Sequence, residues 1–177
     1  IIAAPPESPK NEPEGRGKIM TLKEYFEWNE SWLKESFRAL KPTGALYLIC
    51  GWRFSGMYHS ILNNFFQVQT RISWRDSSLN EKDDQNTWLN QTSDIWYATK
   101  TNEFMFNQEV PSNKLDTTNF NELSEVHNSN LWSDIMDVKI GTTVKIEGDK
   151  PEQLIERILG ASSFKLNWVL DPFTRSG

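Results

Sequence analysis

The residues best placed to do chemistry stand at the two ends of the chain. Ile1-Ile2-Ala3-Ala4 is an apolar run stopped by Pro5-Pro6-Glu7. Trp168-Val169-Leu170 is a second, stopped by Asp171-Pro172-Phe173-Thr174-Arg175-Ser176-Gly177. Each reads as a strand whose exit is forced, because proline fixes φ and removes a ladder donor. An acidic, glycine-bearing turn after a strand lets backbone approach a ligand at the carboxyl end of a parallel sheet. Taken singly the signals are weak: Pro-Pro more often ends a strand than lines a catalytic loop, and Asp-Pro is more often an ordinary turn.

Other chemistry is sparse. Cys50 is the single cysteine, in an apolar stretch that predicts an inert, buried thiol; it cannot close an internal disulfide, which points to a reducing, cytoplasmic compartment. The only two histidines, His59 and His127, are far apart and read as surface or loop residues, so no zinc site is expected. Neither a GxSxG elbow nor a phosphate-cradling GxxxxGK occurs. A net charge of -5 counts against a broad basic face, although a local patch is compatible with it. No run is long and apolar enough to span a bilayer, and no signal pattern opens the chain. A start at Ile1 and an end inside a motif read as a fragment or a trimmed chain.

The elements that must position these residues follow from periodicity. Ser8 to Lys18 reads as a loop. Thr21 with Glu24 forms a capping box, and Leu22, Tyr25, Phe26, Trp32, Leu33, Phe37 and Leu40 then line one helical face, ended by Pro42-Thr43-Gly44. Glu24, Glu27, Glu30 and Lys34 read as the solvated side. Ala45 to Cys50 is nearly continuous apolar sequence, as in a strand covered on both faces, and Phe54 to Phe65 predicts a short helix. Phe66 to Trp74 alternates, placing Phe66, Val68, Ile72 and Trp74 on one side. Ser93 to Thr99 predicts a strand antiparallel to it. Asn107 to Asn130 reads as irregular, and Leu131 to Val138 as a short apolar island. Pro151 to Leu159 predicts a helix with Asp149 near its start and Leu154, Ile155, Ile158 and Leu159 inward, leading to a last strand at Trp168-Val169-Leu170. The alternation implies a mixed α/β sheet in one domain.

The C-terminal words, Lys150-Pro151-x-x-Leu154-x-x-Arg157-x-Leu159 and then Val169-Leu170-Asp171-Pro172-Phe173-x-x-Ser176-Gly177, resemble the β arrangement of the amino-methylating DNA methyltransferases. That family reads roughly KPxxLxxRxL, a gap, then VLDPFxGSG. The likeness runs through the chain in order. It includes Ile1 to Glu7 followed by the helix at Met20-Thr21-Leu22, then Leu40 to Tyr47, Ile72-Ser73-Trp74, Asp94 to Lys100 and Asn130-Leu131-Trp132.

The resemblance implies a Rossmann-like methyltransferase sandwich: an α/β, mostly parallel twisted sheet with an antiparallel edge hairpin, incomplete here. It implies one domain over 1–177, with 101–138 as a candidate target-recognition insertion. The implied activity is of restriction-modification type. A methyl group passes from S-adenosylmethionine to an exocyclic amine of a base flipped out of double-stranded DNA, in a monomer or homodimer without metal. Adenine N6 is favoured over cytosine N4, because the surrounding segments look more like the adenine enzymes. Ala4, Pro5, Pro6 and Glu7 stand at the catalytic DPPY positions. There the family's acid and first proline carbonyl accept the amine protons and its aromatic ring stacks on the base. Lys150, Pro151, Asp171, Pro172, Phe173, Ser176 and Gly177 stand at cofactor-binding positions. Lys100, Asn102, Lys114, Asn119, Asn128 and Lys139 become candidates for phosphate or base contacts, flanked by Arg71, Arg75 and Lys82.

The departures matter as much. Ala4 replaces the acid, Glu7 the ring and Arg175 a glycine, while Gly148-Asp149 replaces the usual Thr-Gln; the strand carrying the ribose-binding acid is expected beyond Gly177. Little or no activity is therefore expected of the chain as written. Two other readings stay open: a catalytically silent DNA- or partner-binding relative, and an unrelated α/β protein whose Asp171 turn is structural.

Overall fold

A computed structural model describes residues 1–7, 9, 20–76, 79, 88–108, 129–135 and 150–174. Its elements run β1 (Ile2–Ala3), α1 (Leu22–Ala39), β2 (Ala45–Gly51), α2 (Trp52–Phe65), β3 (Gln67–Arg75), β4 (Thr92–Thr99), β5 (Leu131–Trp132) and α3 (Glu152–Ser162). Among the described residues the sheet order is β1-β2-β4-β3-β5. β1 pairs parallel to β2, and β5 parallel to β3, while β4 runs antiparallel to both its neighbours.

The apolar run of β2 explains its central place. Leu46, Leu48 and Cys50 point into the layer of α1 and α2, and Ala45, Tyr47 and Ile49 into the layer of α3. Each face buries every second residue, giving helices on both sides of a mixed, open sheet. The expected α/β sandwich is thus present. The antiparallel hairpin is β3–β4, but it does not form the sheet edge. β4 is apolar on both faces, with Trp96 and Ala98 on one and Ile95 and Tyr97 on the other, and it lies between β2 and β3.

α1 begins where its capping box places it. The Thr21 N–H donates to Glu24 Oε2 at 2.8 Å, and the Glu24 N–H donates to Thr21 Oγ1 at 3.2 Å. The predicted inner face holds at Tyr25, Leu33 and Leu40, but Leu22, the first residue of the helix, is 68% exposed. The helix also buries Asn29 and Ser36, which hydrophobicity alone does not select. Its carboxyl end is held by Lys100, whose Nζ donates to the Leu40 carbonyl at 2.6 Å and lies 5.0 Å from the Phe37 ring centre. In the following turn a Cβ at Gly44 would come within 2.6 Å of Leu40 Cδ1.

β3 departs from the sequence reading. Phe66 and Val68 pack on the α1/α2 face, whereas Ile72 and Trp74 pack on the α3 face. The register shifts between Val68 and Thr70, and one extra residue flips every later side chain. A bulge leaves no mark on the alternation itself, so period two carried the wrong face forward. The predicted last strand also differs. Trp168 to Leu170 is extended but forms no ladder; one bond joins it to β1, from the Ile2 N–H to the Leu170 carbonyl at 3.0 Å. Trp168 is 93% exposed. α3 runs three residues past its predicted end, to Ser162, and buries Leu154, Ile158 and Ala161. Asp149 and most of 109–130 lie outside the described residues.

Arg157 of α3 forms a bidentate pair with Asp134 beside β5, one arm being Nη1 to Oδ1 at 2.9 Å. The guanidinium holds the Asp134 carboxyl below its ordinary range, against the opposing effect of burial. A lowered carboxyl stabilises the fold above its unfolded pKa, and that contribution disappears as pH falls through the lowered value. Asp134→Asn should therefore be less stable than the parent at pH 7, with urea midpoints converging once pH drops well below about 4. The core makes a second prediction. Leu48→Ala, at a fully buried site, should lower the unfolding free energy by about 3 kcal/mol, whereas Leu22→Ala should change it by less than about 0.5 kcal/mol, both read by urea denaturation.

Candidate functional site

The two chemically suggestive strand exits converge on one helix. The bond from Ile2 to Leu170 sets Trp168-Val169-Leu170 beside β1. After it, Phe173 turns back onto α1, its ring 5.8 Å from Trp28 and 4.9 Å edge-on from Trp32. After β1, the Pro6 carbonyl accepts a hydrogen bond from the Tyr25 hydroxyl at 2.5 Å. Tyr25 and Trp28 are stacked neighbours on that helix. One stretch of α1, residues 25 to 32, thus grips both the Pro5-Pro6 exit and the Asp171-Pro172-Phe173 turn.

A buried polar cluster fixes the grip. Asn29, fully buried, donates Nδ2–H to the Tyr25 carbonyl at 2.8 Å, and its Oδ1 accepts from Trp32 Nε1 at 2.8 Å and Tyr58 Oη at 3.0 Å. The Tyr25 and Tyr58 oxygens lie 3.1 Å apart. Burial raises both phenols above their ordinary range, so both keep their protons. With Tyr25 donating to Pro6, the Tyr58 proton is shared between Tyr25 and Asn29. The cluster joins α1, α2 and the proline exit. Helical periodicity alone could not have marked Asn29, since amides are mostly surface residues.

The edge itself is weakly equipped. Ala4 is half-buried on the α3 side and presents a methyl group. Pro5 is buried, while Glu7 is exposed with its Oε2 close to Gly51, 3.7 Å from where a Cβ would stand, at the amino end of α2. Negative charge is favoured there by the helix dipole. Asp171 is exposed, and its Oδ1 accepts the Phe173 N–H at 2.9 Å. Cys50, on the same edge, is buried, and desolvation together with Asp94 pushes its thiol up, which leaves it unreactive.

Other predicted site residues lie elsewhere. Lys150 Nζ is 4.0 Å from Asp76 Oδ2 and 5.7 Å from the Trp74 ring centre, and Asp76 also accepts from Ser93 Oγ at 2.9 Å. That places Lys150 over the β3–β4 end, with β2 and β4 between it and β1. Pro151 opens α3, accepting the Leu154 N–H at 3.0 Å. Lys100 and Asn102 follow β4 at the end opposite the proline exit, since Thr99 pairs with Ala45. Lys100 caps α1 there through the Leu40 carbonyl. Arg71 is 3.8 Å from Asp94, and Arg75 is exposed. His59 is exposed and stacks on Trp96 at 4.6 Å. Lys82, Lys114, Asn119, His127, Asn128, Lys139, Gly148, Arg175, Ser176 and Gly177 lie outside the described residues. Among those described, no group of three or more acidic, histidine or cysteine side chains is set to hold a metal, and no helix is long and apolar enough to cross a membrane.

Comparison with known proteins gives a consistent set of likenesses. A family model for N6/N4 methyltransferases, described as DNA methylase, matches residues 1–177. The chain is 24% identical over 174 residues to the type II methyltransferase M2.DpnII of Streptococcus pneumoniae, covering 90% of this chain and 59% of that protein. It is 28% identical over 165 residues to the type II methyltransferase M.HpaI of Haemophilus parainfluenzae, covering 89% and 51%. The chain thus spans between about half and three-fifths of these relatives. In fold it is similar to the M1.HpyAVI-SAM complex, with a TM-score of 0.64 at 19% identity over 97% of this chain and 70% of that one. It is likewise similar to the cytosine-N4-specific PvuII DNA methyltransferase, with a TM-score of 0.65 at 16% identity over 92% and 63%.

The Asn29 cluster yields a direct test. Asn29→Ala removes the acceptor of the half-buried Trp32 N–H and of the buried Tyr58 hydroxyl and loosens Tyr25 from Pro6, so unfolding free energy should fall by about 2 kcal/mol or more. Amide exchange should rise at Glu7 and Phe173, both outside α1. A loss below about 0.5 kcal/mol would show that the cluster does not hold the edge together.

Proposed function

The chain belongs to the N6/N4 DNA methylase family, and from that premise we propose that its sheet edge is the methyl-transfer edge of an S-adenosylmethionine-dependent DNA amino-methyltransferase. The observation that carries the reading is the shared grip of α1 on Pro6 and Phe173. It sets a possible base-side exit and a possible cofactor-side turn next to each other, as a reaction between two bound molecules requires.

The donor set is compatible with the cofactor. S-adenosylmethionine carries a sulfonium and an ammonium, and the exposed carboxylates of Asp171 and Glu7 offer opposite charge at this edge. Asp171, Pro172 and Phe173 would hold it, with Ser176 and Gly177 continuing the turn; bound, it would supply an electrophilic methyl group. The chain's own part is to receive the amine. The Pro5 carbonyl stands ready to accept one N–H of an extruded base, while Tyr25 fixes the next peptide by its bond to Pro6. Ala4 offers no second acceptor, and Glu7 offers no ring for the base to stack on. Lys150 stands near Asp76 at the β3–β4 end, with β2 and β4 between it and β1.

Adenine N6 is the base we favour, from the likeness of the flanking segments to adenine enzymes. Residues 101–138 are the natural place for target recognition, and double-stranded DNA with a flipped base is the natural substrate. The missing acceptor at Ala4 and ring at Glu7 favour a second reading, a relative that keeps the fold and binds DNA or a partner without turnover.

The test is to titrate S-adenosylmethionine calorimetrically into this chain and into a fuller form carrying Ala4→Asp, Glu7→Tyr and Arg175→Gly. The restored protein should methylate duplex DNA at least about a hundredfold faster than its unrestored counterpart, giving N6-methyladenine on hydrolysis. N4-methylcytosine would overturn only the choice of base. Failure of a well-folded restored protein to bind the cofactor would sink the reading.

A further inference from the structure

A second concavity lies away from that edge, on the α3 face of the sheet. It is a cavity of about 410 Å³ between β3–β4, the segment 104–108, β5 and α3. This volume is within the range of small-ligand sites. β3 and β1 are separated by β2 and β4, or roughly 14 Å at ordinary strand spacing.

Its wall is aromatic. Tyr97 stacks on Tyr47 with centroids 4.7 Å apart, and it meets Phe104 edge-on at 6.1 Å and Phe106 at 5.8 Å. Trp132 adds a further ring, over which the Arg157 guanidinium lies at 5.1 Å. Phe106 packs one side on Tyr97 yet stays 43% exposed, leaving apolar ring surface open at the cavity mouth. Gln69 and Asn130 line the same wall; each donates one N–H inside the protein, to Thr99 Oγ1 and the Arg71 carbonyl at 2.9 Å, and each amide carries a second N–H and an oxygen.

One atom in this wall lacks what buried polar atoms normally have. The Tyr97 hydroxyl is buried and has no hydrogen-bond partner among the described residues. Ser162, bonded to Tyr47 at 2.8 Å, is close enough to act on Tyr97 but makes no hydrogen bond of good geometry with it. Burial keeps the Tyr97 phenol protonated, so the orphan atom is a donor at neutral pH. A buried donor without a partner is costly, and a ligand acceptor would satisfy it.

We propose that this cavity binds a small planar heteroaromatic molecule of purine-base size, stacked against Tyr97, Phe104 and Phe106 and accepting a hydrogen bond from the Tyr97 hydroxyl. Flat rings match the aromatic wall, a ring nitrogen or carbonyl supplies the missing acceptor, and the amides of Gln69 and Asn130 can read the ring edge. Aliphatic ligands would leave Tyr97 unpaired. The proposal is independent of the reading of the proline edge.

The free base 2-aminopurine is the probe, because its fluorescence is quenched on stacking. The intact chain should quench it saturably, and Tyr97→Phe, which removes only the oxygen, should weaken binding about fivefold. Phe106→Ala should weaken it further and reduce the quenching at saturation. Tyr97→Phe should fold as well as the parent, since it deletes an unpaired polar atom. Excess S-adenosylhomocysteine should not displace the probe, whether or not the chain binds the cofactor. Absence of saturable quenching at millimolar probe, equal affinity of Tyr97→Phe, or displacement by S-adenosylhomocysteine would each overturn the proposal.

Discussion

Asn29 is the residue on which the architecture of the edge depends. It is an amide buried inside a helix, and it is tolerable only because the neighbouring groups spend its donor and acceptor: the Tyr25 carbonyl, Trp32 Nε1 and Tyr58 Oη. Satisfying it aligns Tyr25 toward Pro6 and orients Trp32 toward Phe173. Two segments separated by most of the chain are therefore held by about two turns of α1. The polypeptide achieves with local helix geometry what would otherwise need long-range pairing of two short strands. β1 has only two residues and the 168–170 segment a single bond to it, so neither could fix the edge alone.

That economy lets the fold hold whatever side chains stand at positions 4 and 7. Ala4 contributes to the sheet core on the α3 side, and Glu7 lies near the start of α2; neither is required by the Asn29 cluster. The holding residues and the positions proposed to meet the base are different side chains, so the latter can change while the former keep their partners. Family membership and catalytic competence are consequently separate properties of this chain. The first follows from the match along its length. The second rests on the roles proposed for positions 4 and 7, where this chain carries Ala4 and Glu7.

Much of the framework was legible in the sequence because its signals are local. The capping box at Thr21 and Glu24, the two-faced apolar run of β2 and the proline start of α3 each rest on neighbouring residues, and each appears where expected. What was not legible required knowledge across strands. The bulge that sends Val68 and Ile72 to opposite faces depends on the register against β4. Lys100 looked like a free cation after a strand, yet the end of α1 claims it. The contacts of Lys150 with Asp76 and Trp74 likewise depend on where the β3–β4 end falls. The convergence of Pro6 and Phe173 was anticipated from motif order alone; the helix that brings it about was read only as core.

The central claim is that the chain's two proline-bearing exits sit side by side beneath α1. Nuclear Overhauser contacts in the isotopically labelled chain test it most directly. The account predicts cross-peaks from the Phe173 ring to the Trp28 and Trp32 indoles, and from the Ile2 amide to the Leu170–Asp171 backbone. Random-coil shifts over 168–174 with none of those cross-peaks, in a chain whose β2–β4 pairing is intact, would contradict it.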